Sequence, residues 1–239
     1  MKNKKHISLM LVVIMLFTAV FTTACGGKTP AENGQQDAQQ PQPTAQSYEP
    51  FVSREIFDAY NENSDVIGWL KLEGCEIDNR VFQCGNNDYY LRLNEAGEYD
   101  VWGCYFLDYI NVNDGTKLTD KVNIIYGHAL DDDPDSEKFS KLKRYKDETF
   151  ALANPTVEFD LLYANTEWQI FAACDIPVTI DYIDPNPDEE KYTDTLNYMT
   201  ENSYVDFGVD VTAEDRILVL STCTSDENIR FVVAAKLVE

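Results

Sequence analysis

The chain has 239 residues, of which 42 are acidic and 19 basic, so its formal net charge is −23. This balance argues against the basic patches that bind nucleic acids or anionic membranes, and we expect no nucleic-acid partner. Hydrophobic residues make up 44% of the chain, enough for the core of one domain.

Residues 1–24 have the pattern of a secretory signal: a basic start, an apolar run, and small residues directly before Cys25. The pattern looks like a bacterial lipobox, whose cysteine is lipidated, although Thr22 stands where such motifs usually carry Leu or Val. The alternative is an uncleaved signal-anchor helix, for which an apolar run of about 18 residues is at the lower limit. We favour lipidation of Cys25, and both interpretations predict a membrane tether.

Residues 25–50 are rich in Gln, Pro and Ala and have almost no large apolar side chains, so we predict a flexible, membrane-proximal linker. The folded domain is then 51–239. It opens on apolar residues at helical spacing over 51–62, with Ser53 as the predicted N-cap.

Eight short β-rich runs separated by turns predict a closed barrel or a sandwich. The runs are Val66–Leu72, Cys75–Gln83, Gly103–Asp108, Asn123–Gly127, Thr156–Leu162, Glu167–Ile176, Arg216–Cys223 and Arg230–Val238. Two further segments are predicted helices: 136–147, with three apolar residues at three-residue steps, and 188–203.

The last two runs flank a polar turn and predict a hairpin, with Cys223 at the end of one strand and Arg230 at the start of the other. A thiolate at that place would be a nucleophile beside a cation able to hold an oxyanion. Outside the signal segment, where His6 lies, His128 is the only imidazole, and it too follows a predicted strand. Any cysteine–histidine mechanism must therefore use His128.

Each of these residues also has an ordinary structural interpretation. A cysteine at the end of an apolar strand is more often buried and unreactive. A lone histidine is more often a satisfied surface or core residue, and Arg230 could form a weak surface ion pair with Asp226 or Glu227.

The same residues resemble the sortases, the cysteine transpeptidases of the Gram-positive cell surface. The family signature Thr-Leu-x-Thr-Cys is matched by Val-Leu-Ser-Thr-Cys at 219–223, with Val219 in place of the first Thr. The family arginine falls at Arg230, and the family histidine, which follows a strand and a Tyr-Gly pair, falls at His128.

The likeness is to class B. It rests on Asn-Ser-Asp-Val-Ile-Gly-Trp-Leu at 63–70, Asp-Tyr-Tyr-Leu at 88–91, Gly-Cys-Tyr-Phe-Leu-Asp-Tyr at 103–109, and the predicted helix 188–203 before the cysteine strand. The sequence departs from the class B pattern in the acidic loop after His128. It departs again at Arg80, where the family usually has Pro; we expect that change to alter only a turn.

The resemblance implies a mainly β fold with attached helices: a closed sortase-type barrel of about eight strands, an N-terminal helix, and a helix before the catalytic-cysteine strand. It implies Cys223 as nucleophile, His128 as general acid and then base, and Arg230 as the group that holds the scissile carbonyl or the substrate backbone. Two secondary candidates are Thr222, whose hydroxyl or backbone would be a donor near the oxyanion, and Asp226, which would orient His128 or contact substrate.

The implied reaction needs no cofactor. Cys223 would attack the Thr carbonyl of a C-terminal sorting pentapeptide, of the Asn-Pro-x-Thr-Asn or x-Pro-x-Thr-Gly kind, on a surface protein. An amine on a lipid II-like peptidoglycan precursor would then resolve the thioacyl enzyme, at the outer face of a Gram-positive cell membrane. Two alternatives stay open: a pilin-polymerising sortase, whose nucleophile is a lysine of another subunit, and a surface lipoprotein that binds peptides without turnover.

The remaining polar and sulfur groups give weaker signals. Cys75, Cys84, Cys104 and Cys174 allow three disulfide pairings or four free thiols, and the absence of a CxxC spacing argues against structural zinc. The acidic run at 131–135 lacks the glycine and closing glutamate of an EF-hand loop, so we predict a solvated loop and no metal.

Overall fold

The computed structural model describes residues 52–238. The predicted signal segment, the linker and the lipidation site Cys25 lie outside the described residues. Within the described part of the chain, none of the helices has both the length and the apolar character needed to cross a bilayer.

Eight strands form a closed barrel with neighbours in the order β1-β2-β3-β4-β7-β8-β6-β5. This confirms the predicted fold class, and every predicted strand is present within two residues of its predicted ends. The strands are β1 Val66–Leu72, β2 Ile77–Phe82, β3 Tyr105–Leu107, β4 Val122–Tyr126, β5 Thr156–Leu161, β6 Glu167–Pro177, β7 Ile217–Cys223 and β8 Ile229–Leu237.

The strand β7 lies between β4 and β8, and this order assembles the candidate site. β7 runs parallel to β4 with Ser221 opposite Tyr126, so both strands end at the same rim of the barrel. β7 and β8 form the predicted antiparallel hairpin, with Cys223 opposite Arg230. His128 lies two residues beyond Tyr126, and Cys223 lies two residues beyond Ser221, so both occupy corresponding positions in the paired segments.

Alternation along β7 separates two layers of the core. Leu218 and Leu220 pack in the largest core cluster, to which all eight strands contribute side chains. Ile217 and Val219 face the other way, into a second cluster that includes the buried face of α4 (Glu189–Glu201). The side chains of the even-numbered residues therefore pack inside the barrel. Cys223 has an odd number, so its side chain lies on the outer face of β7.

The predicted N-terminal helix is α1, Arg54–Glu62, and the side chain of its N-cap Ser53 accepts a hydrogen bond from the amide of Ile56. The predicted helix before the cysteine strand is α4, capped by Asp188. Two short α-helices were not predicted: α2, Tyr89–Arg92, and α3, Glu148–Ala153.

The segment predicted as a helix over 136–147 is a 3₁₀ helix, Lys138–Lys146. Phe139, Leu142 and Tyr145, which recur every three residues, are fully buried. A three-residue period is that of the 3₁₀ helix, in which residues i and i+3 lie on one face.

Arg80 corrects a prediction, because it lies inside β2 and not in a turn. Its guanidinium forms ion pairs with Glu62 at 3.0 Å and Glu95 at 2.8 Å. It therefore connects the barrel wall to the end of α1 and to the loop after α2.

All five cysteines of the described region are free thiols. Cys75, Cys104 and Cys174 are buried, and burial raises the pKa of their thiols to about 12, 11 and 12 respectively. The structure thus contains none of the three disulfide pairings that the sequence allowed among Cys75, Cys84, Cys104 and Cys174.

Candidate active site

A cleft of about 260 Å³ opens at the barrel rim where β4, β7 and β8 meet. Cys223, His128 and Arg230 all line it. The structure therefore brings together the three residues that the sequence predicted as catalytic, from three strand ends.

Cys223 is the last residue of β7, and its side chain is exposed while the six preceding residues of the strand are buried. An exposed thiol at the end of a rigid strand is accessible to a substrate, in contrast to the usual buried and inert cysteine.

Arg230 lies directly across the ladder from Cys223. Its Nη1 donates hydrogen bonds to the carbonyl oxygens of Glu227 (2.9 Å) and Ile229 (3.0 Å). Among residues 52–238 no carboxylate lies within ion-pair distance of Arg230, so the alternative pairing with Asp226 or Glu227 does not form. The backbone carbonyls hold one edge of the guanidinium, and Nε and Nη2 can donate to a bound ligand.

His128 is 7% exposed, and its Nε2 lies 2.8 Å from the carbonyl oxygen of Leu91. Burial lowers the pKa of the imidazole below its ordinary value of 6.5, and the charge of Arg92 adds to that effect. The Leu91 carbonyl and Asp100 oppose it. The ring is therefore neutral at pH 7 in the free protein, as a proton acceptor must be.

We predict that the His128 imidazole titrates below the ordinary histidine pKa. In protein carrying His6→Gln, which leaves His128 as the only imidazole, an NMR titration of the ring should give a midpoint below 6.5. Since the unfolded chain holds the proton more tightly, the stability that His128 contributes is complete above its unfolded pKa and is lost as the pH drops from that value through the lower pKa of the folded protein. A midpoint at or above 6.5 would contradict the dominance of burial.

The hydroxyl of Thr222, one of the two donors predicted at this residue, has a structural role. Thr222 is buried, and its hydroxyl donates a 2.7 Å hydrogen bond to the carbonyl oxygen of Gly127. This bond ties the end of β7 to the residue before His128. The hydroxyl is therefore engaged and does not serve as an oxyanion donor in this conformation.

Asp226 does not orient His128, which corrects the sequence-based hypothesis. Its Oδ1 accepts hydrogen bonds from the backbone amide (2.9 Å) and side-chain amide (3.1 Å) of Asn228, inside the β7–β8 turn. It lines a separate cavity with Ser225 and Asp132 and is absent from the cleft lining. An exposed turn aspartate commonly bonds to its own backbone in this way, which explains its position.

The acidic loop after His128 is held by cations of the chain itself. Asp132 forms an ion pair with the buried Lys143 and accepts a hydrogen bond from the amide of Ser225 at 3.2 Å. The bond from Lys143, then that from Ser225, lowers the pKa of Asp132 to about 2. The loop after the histidine is thus joined to the turn after the cysteine. Within the described region no cluster of His, Cys, Asp and Glu is arranged to hold a metal ion.

The cleft also contains residues that were not predicted as site residues. Asn87, Asp88 and Leu91 line one wall at α2. The Asp-Tyr-Tyr-Leu run at 88–91 carried part of the class B resemblance, but a helix of one turn leaves no periodic pattern in the sequence. Its contact with His128 follows from the tertiary fold alone.

Comparisons with known proteins agree with this geometry. The chain is 35% identical to sortase B of Listeria monocytogenes over 191 residues, which cover 78% of this chain and 75% of that protein. It is 27% identical to sortase B of Staphylococcus aureus over 98% of this chain and 95% of that protein. No model of a protein family matches the chain.

Solved structures give the same result. A Staphylococcus aureus sortase B–substrate complex is similar with a TM-score of 0.69 and 30% identity, over 77% of this chain and 85% of that one. Clostridium perfringens sortase B is similar with a TM-score of 0.67 and 29% identity, over 77% of this chain and 99% of that one. A sortase B complexed with triglycine is also similar, with a TM-score of 0.69 and 30% identity, over 77% of this chain and 86% of that one.

Proposed function

The chain belongs to the class B sortases, which are cysteine transpeptidases, and on that premise we propose that Cys223 is its nucleophile, His128 its general acid and base, and Arg230 its oxyanion-holding cation. The observation that carries this proposal is the convergence of the three side chains on one cleft from three neighbouring strand ends. Because the barrel wall fixes all three, they are ordered before a substrate arrives.

The proposed reaction has two halves. His128 takes up the proton of the Cys223 thiol as the sulfur attacks the carbonyl carbon of the substrate threonine, and negative charge develops on the carbonyl oxygen beside Arg230. The C–N bond then breaks, the imidazole of His128 gives a proton to the departing amine, and a thioester remains. In the second half an incoming amine loses its proton to His128 and displaces the sulfur, which restores the enzyme and forms a new amide.

We propose that the acyl donors are surface proteins with a C-terminal sorting signal of the Asn-Pro-x-Thr-Asn or x-Pro-x-Thr-Gly kind. The acceptor would be an amine on a lipid II-like peptidoglycan precursor. The substrate and triglycine complexes of related sortases B support a peptide donor and an amine acceptor. We further propose that the chain is tethered to the outer face of the membrane, through a lipid on Cys25 or a signal anchor.

Purified protein incubated with quenched-fluorescence peptides of the two motif kinds tests this function. We expect cleavage of one kind, and in the presence of triglycine a second product in which the amine is joined to the threonine. No cleavage, combined with a thiol at Cys223 that resists alkylation at neutral pH, would contradict the enzyme and favour a peptide-binding module. A lysine side chain preferred over triglycine as the acceptor would favour pilin polymerisation.

Arg230→Lys separates the role of charge from that of geometry. Lysine keeps the positive charge and loses the planar fork of donors, so kcat/KM should fall on the order of 10²-fold, the effect of removing one oxyanion donor. The matched control is Arg216→Lys, at the opposite end of β7 and outside the cleft, which should leave kcat/KM unchanged. Full activity in Arg230→Lys would exclude a role for the guanidinium fork.

A further inference from the structure

The one-turn helix α2 ends in three consecutive carbonyl groups, and each accepts a hydrogen bond from outside the helix. Terminal carbonyls of a helix have no partner within it, so the surrounding chain must supply one. The three contacts are Cys104 N to Tyr90 O (2.9 Å), Asp100 N to Arg92 O (2.9 Å) and His128 Nε2 to Leu91 O (2.8 Å).

The contact between His128 and the Leu91 carbonyl determines which ring nitrogen carries the hydrogen. A backbone carbonyl has lone pairs and no hydrogen, so it can only accept. A neutral imidazole carries one N–H, and a hydrogen bond from Nε2 to Leu91 requires that hydrogen on Nε2. The lone pair of the neutral ring is then on Nδ1.

We propose that the Leu91 carbonyl locks His128 in the Nε2–H tautomer, and that Gly103 is the positioning residue that sets this carbonyl. Nδ1 is then the atom that takes up and returns the proton, and the Nε2 bond persists when the ring is charged. The carbonyl occupies the place that a carboxylate has in Ser-His-Asp triads, where the third group fixes the tautomer and orientation of the histidine.

Gly103 packs directly against the end of α2. Its φ is +54°, and a Cβ atom there would lie 2.3 Å from the carbonyl oxygen of Tyr90 and 2.7 Å from that of Leu91. Both obstacles are backbone atoms, which cannot rotate away as a side chain can. Any side chain at position 103 therefore pushes the Leu91 carbonyl away from its present position against the imidazole.

The tautomer can be measured without any activity. The full chain with His6→Gln and ¹⁵N-labelled histidine, at a pH well above 6.5, should show by long-range ¹H–¹⁵N correlation a protonated Nε2 and an unprotonated Nδ1. His128→Gln in the same background removes these signals and so assigns them. A hydrogen on Nδ1, or an even mixture of tautomers, would overturn the lock.

Gly103→Ala tests the positioning role. In this variant the imidazole of His128 should no longer be held in a single tautomer. The value of kcat should fall by roughly 10- to 10²-fold, the cost of misplacing a catalytic group by about 1 Å, and KM should change little. Gly208→Ala is the matched control, since Gly208 has a similar φ of +64° with nothing within 4 Å of its Cβ position. It carries the same backbone strain and should keep both the tautomer and kcat.

A second variant covers the case in which Gly103→Ala does not fold. Asp100→Ala removes the carboxylate that accepts from the amide of Trp102 at 2.9 Å, and so loosens the loop that carries Gly103 without adding an atom. It should shift the tautomer in the same direction. An unchanged tautomer in whichever of these variants folds would refute the role of Gly103.

The inference rests on the proposed role of His128, but the two can fail separately. If His128 carries the hydrogen on Nε2 but the protein cleaves no sorting peptide and its Cys223 thiol resists alkylation at neutral pH, the tautomer lock stands and the proposed function is contradicted. If the protein cleaves sorting peptides but His128 carries its hydrogen on Nδ1, the proposed function stands and the tautomer lock is refuted.

Discussion

Cys223→Ser should lower kcat for sorting-peptide cleavage on the order of 10⁴-fold or more, comparable to the loss of a nucleophile in other covalent hydrolases. A serine hydroxyl stays protonated at neutral pH and is a far weaker nucleophile than a thiolate. Because the side chain is exposed at a strand end, the exchange opens no cavity, and the free energy of unfolding should change by no more than about 0.5 kcal/mol.

Cys84→Ser is the matched control for this variant. Cys84 is the other cysteine of the described region that is not fully buried, and it lies outside the cleft lining. It should retain full activity and still form a thioester adduct, detectable by intact-protein mass spectrometry with a slowly resolved substrate. Loss of the adduct in Cys84→Ser and its survival in Cys223→Ser would place the nucleophile elsewhere.

His128→Gln should lower kcat by roughly 10²- to 10⁴-fold, the range for removal of a general acid–base group. The glutamine amide can still donate toward the Leu91 carbonyl, so the wall of the cleft is preserved, but it cannot exchange a proton near neutral pH. Steady-state kinetics with the cognate peptide, together with thermal unfolding of both proteins, measures the loss and checks the fold.

The leaving group gives a sharper test of the acid role. An amide nitrogen must be protonated as it leaves, whereas an ester oxygen is a better leaving group with less need of a proton. The deficit of His128→Gln should therefore be clearly smaller for an ester at the scissile bond than for the matching amide. Equal deficits for the two substrates would assign His128 a role other than proton donation.

Local patterns in the sequence predicted eight short strands and left a closed barrel or a sandwich open, and the resemblance to the sortases selected the barrel. Each strand is a short apolar run bounded by turn residues, and the hairpin at Cys223 is a local feature that its own turn specifies. These patterns also predicted that Cys223 and Arg230 would be neighbours, which the register of β7 and β8 confirms. The placement of His128 beside them depends on the parallel β4–β7 pair, which no local pattern in the sequence specifies.

The features of the site that the sequence did not predict depend on tertiary contacts. The helix α2 has one turn, too short for an apolar period, yet its Leu91 carbonyl is the partner of His128. Asp226 was a reasonable candidate for that partner because it is close to Cys223 in sequence, but the turn satisfies its carboxylate locally. Residue types alone cannot reveal a backbone carbonyl as a functional group, since every residue has one.

The parallel pairing of β4 with β7 has a kinetic consequence. The hydrogen bond from Thr222 to Gly127 joins residues 95 positions apart in the chain, whereas the Cys223–Arg230 hairpin closes within a few residues. Contacts between distant segments form slowly because a long loop must be ordered first. The cysteine and its arginine can therefore meet early in folding, but the histidine joins them only when the barrel closes, so a partly folded chain has a thiol without its proton acceptor. Transpeptidation should appear with the slowest folding phase, after the burial of Trp168 and the other core residues has begun.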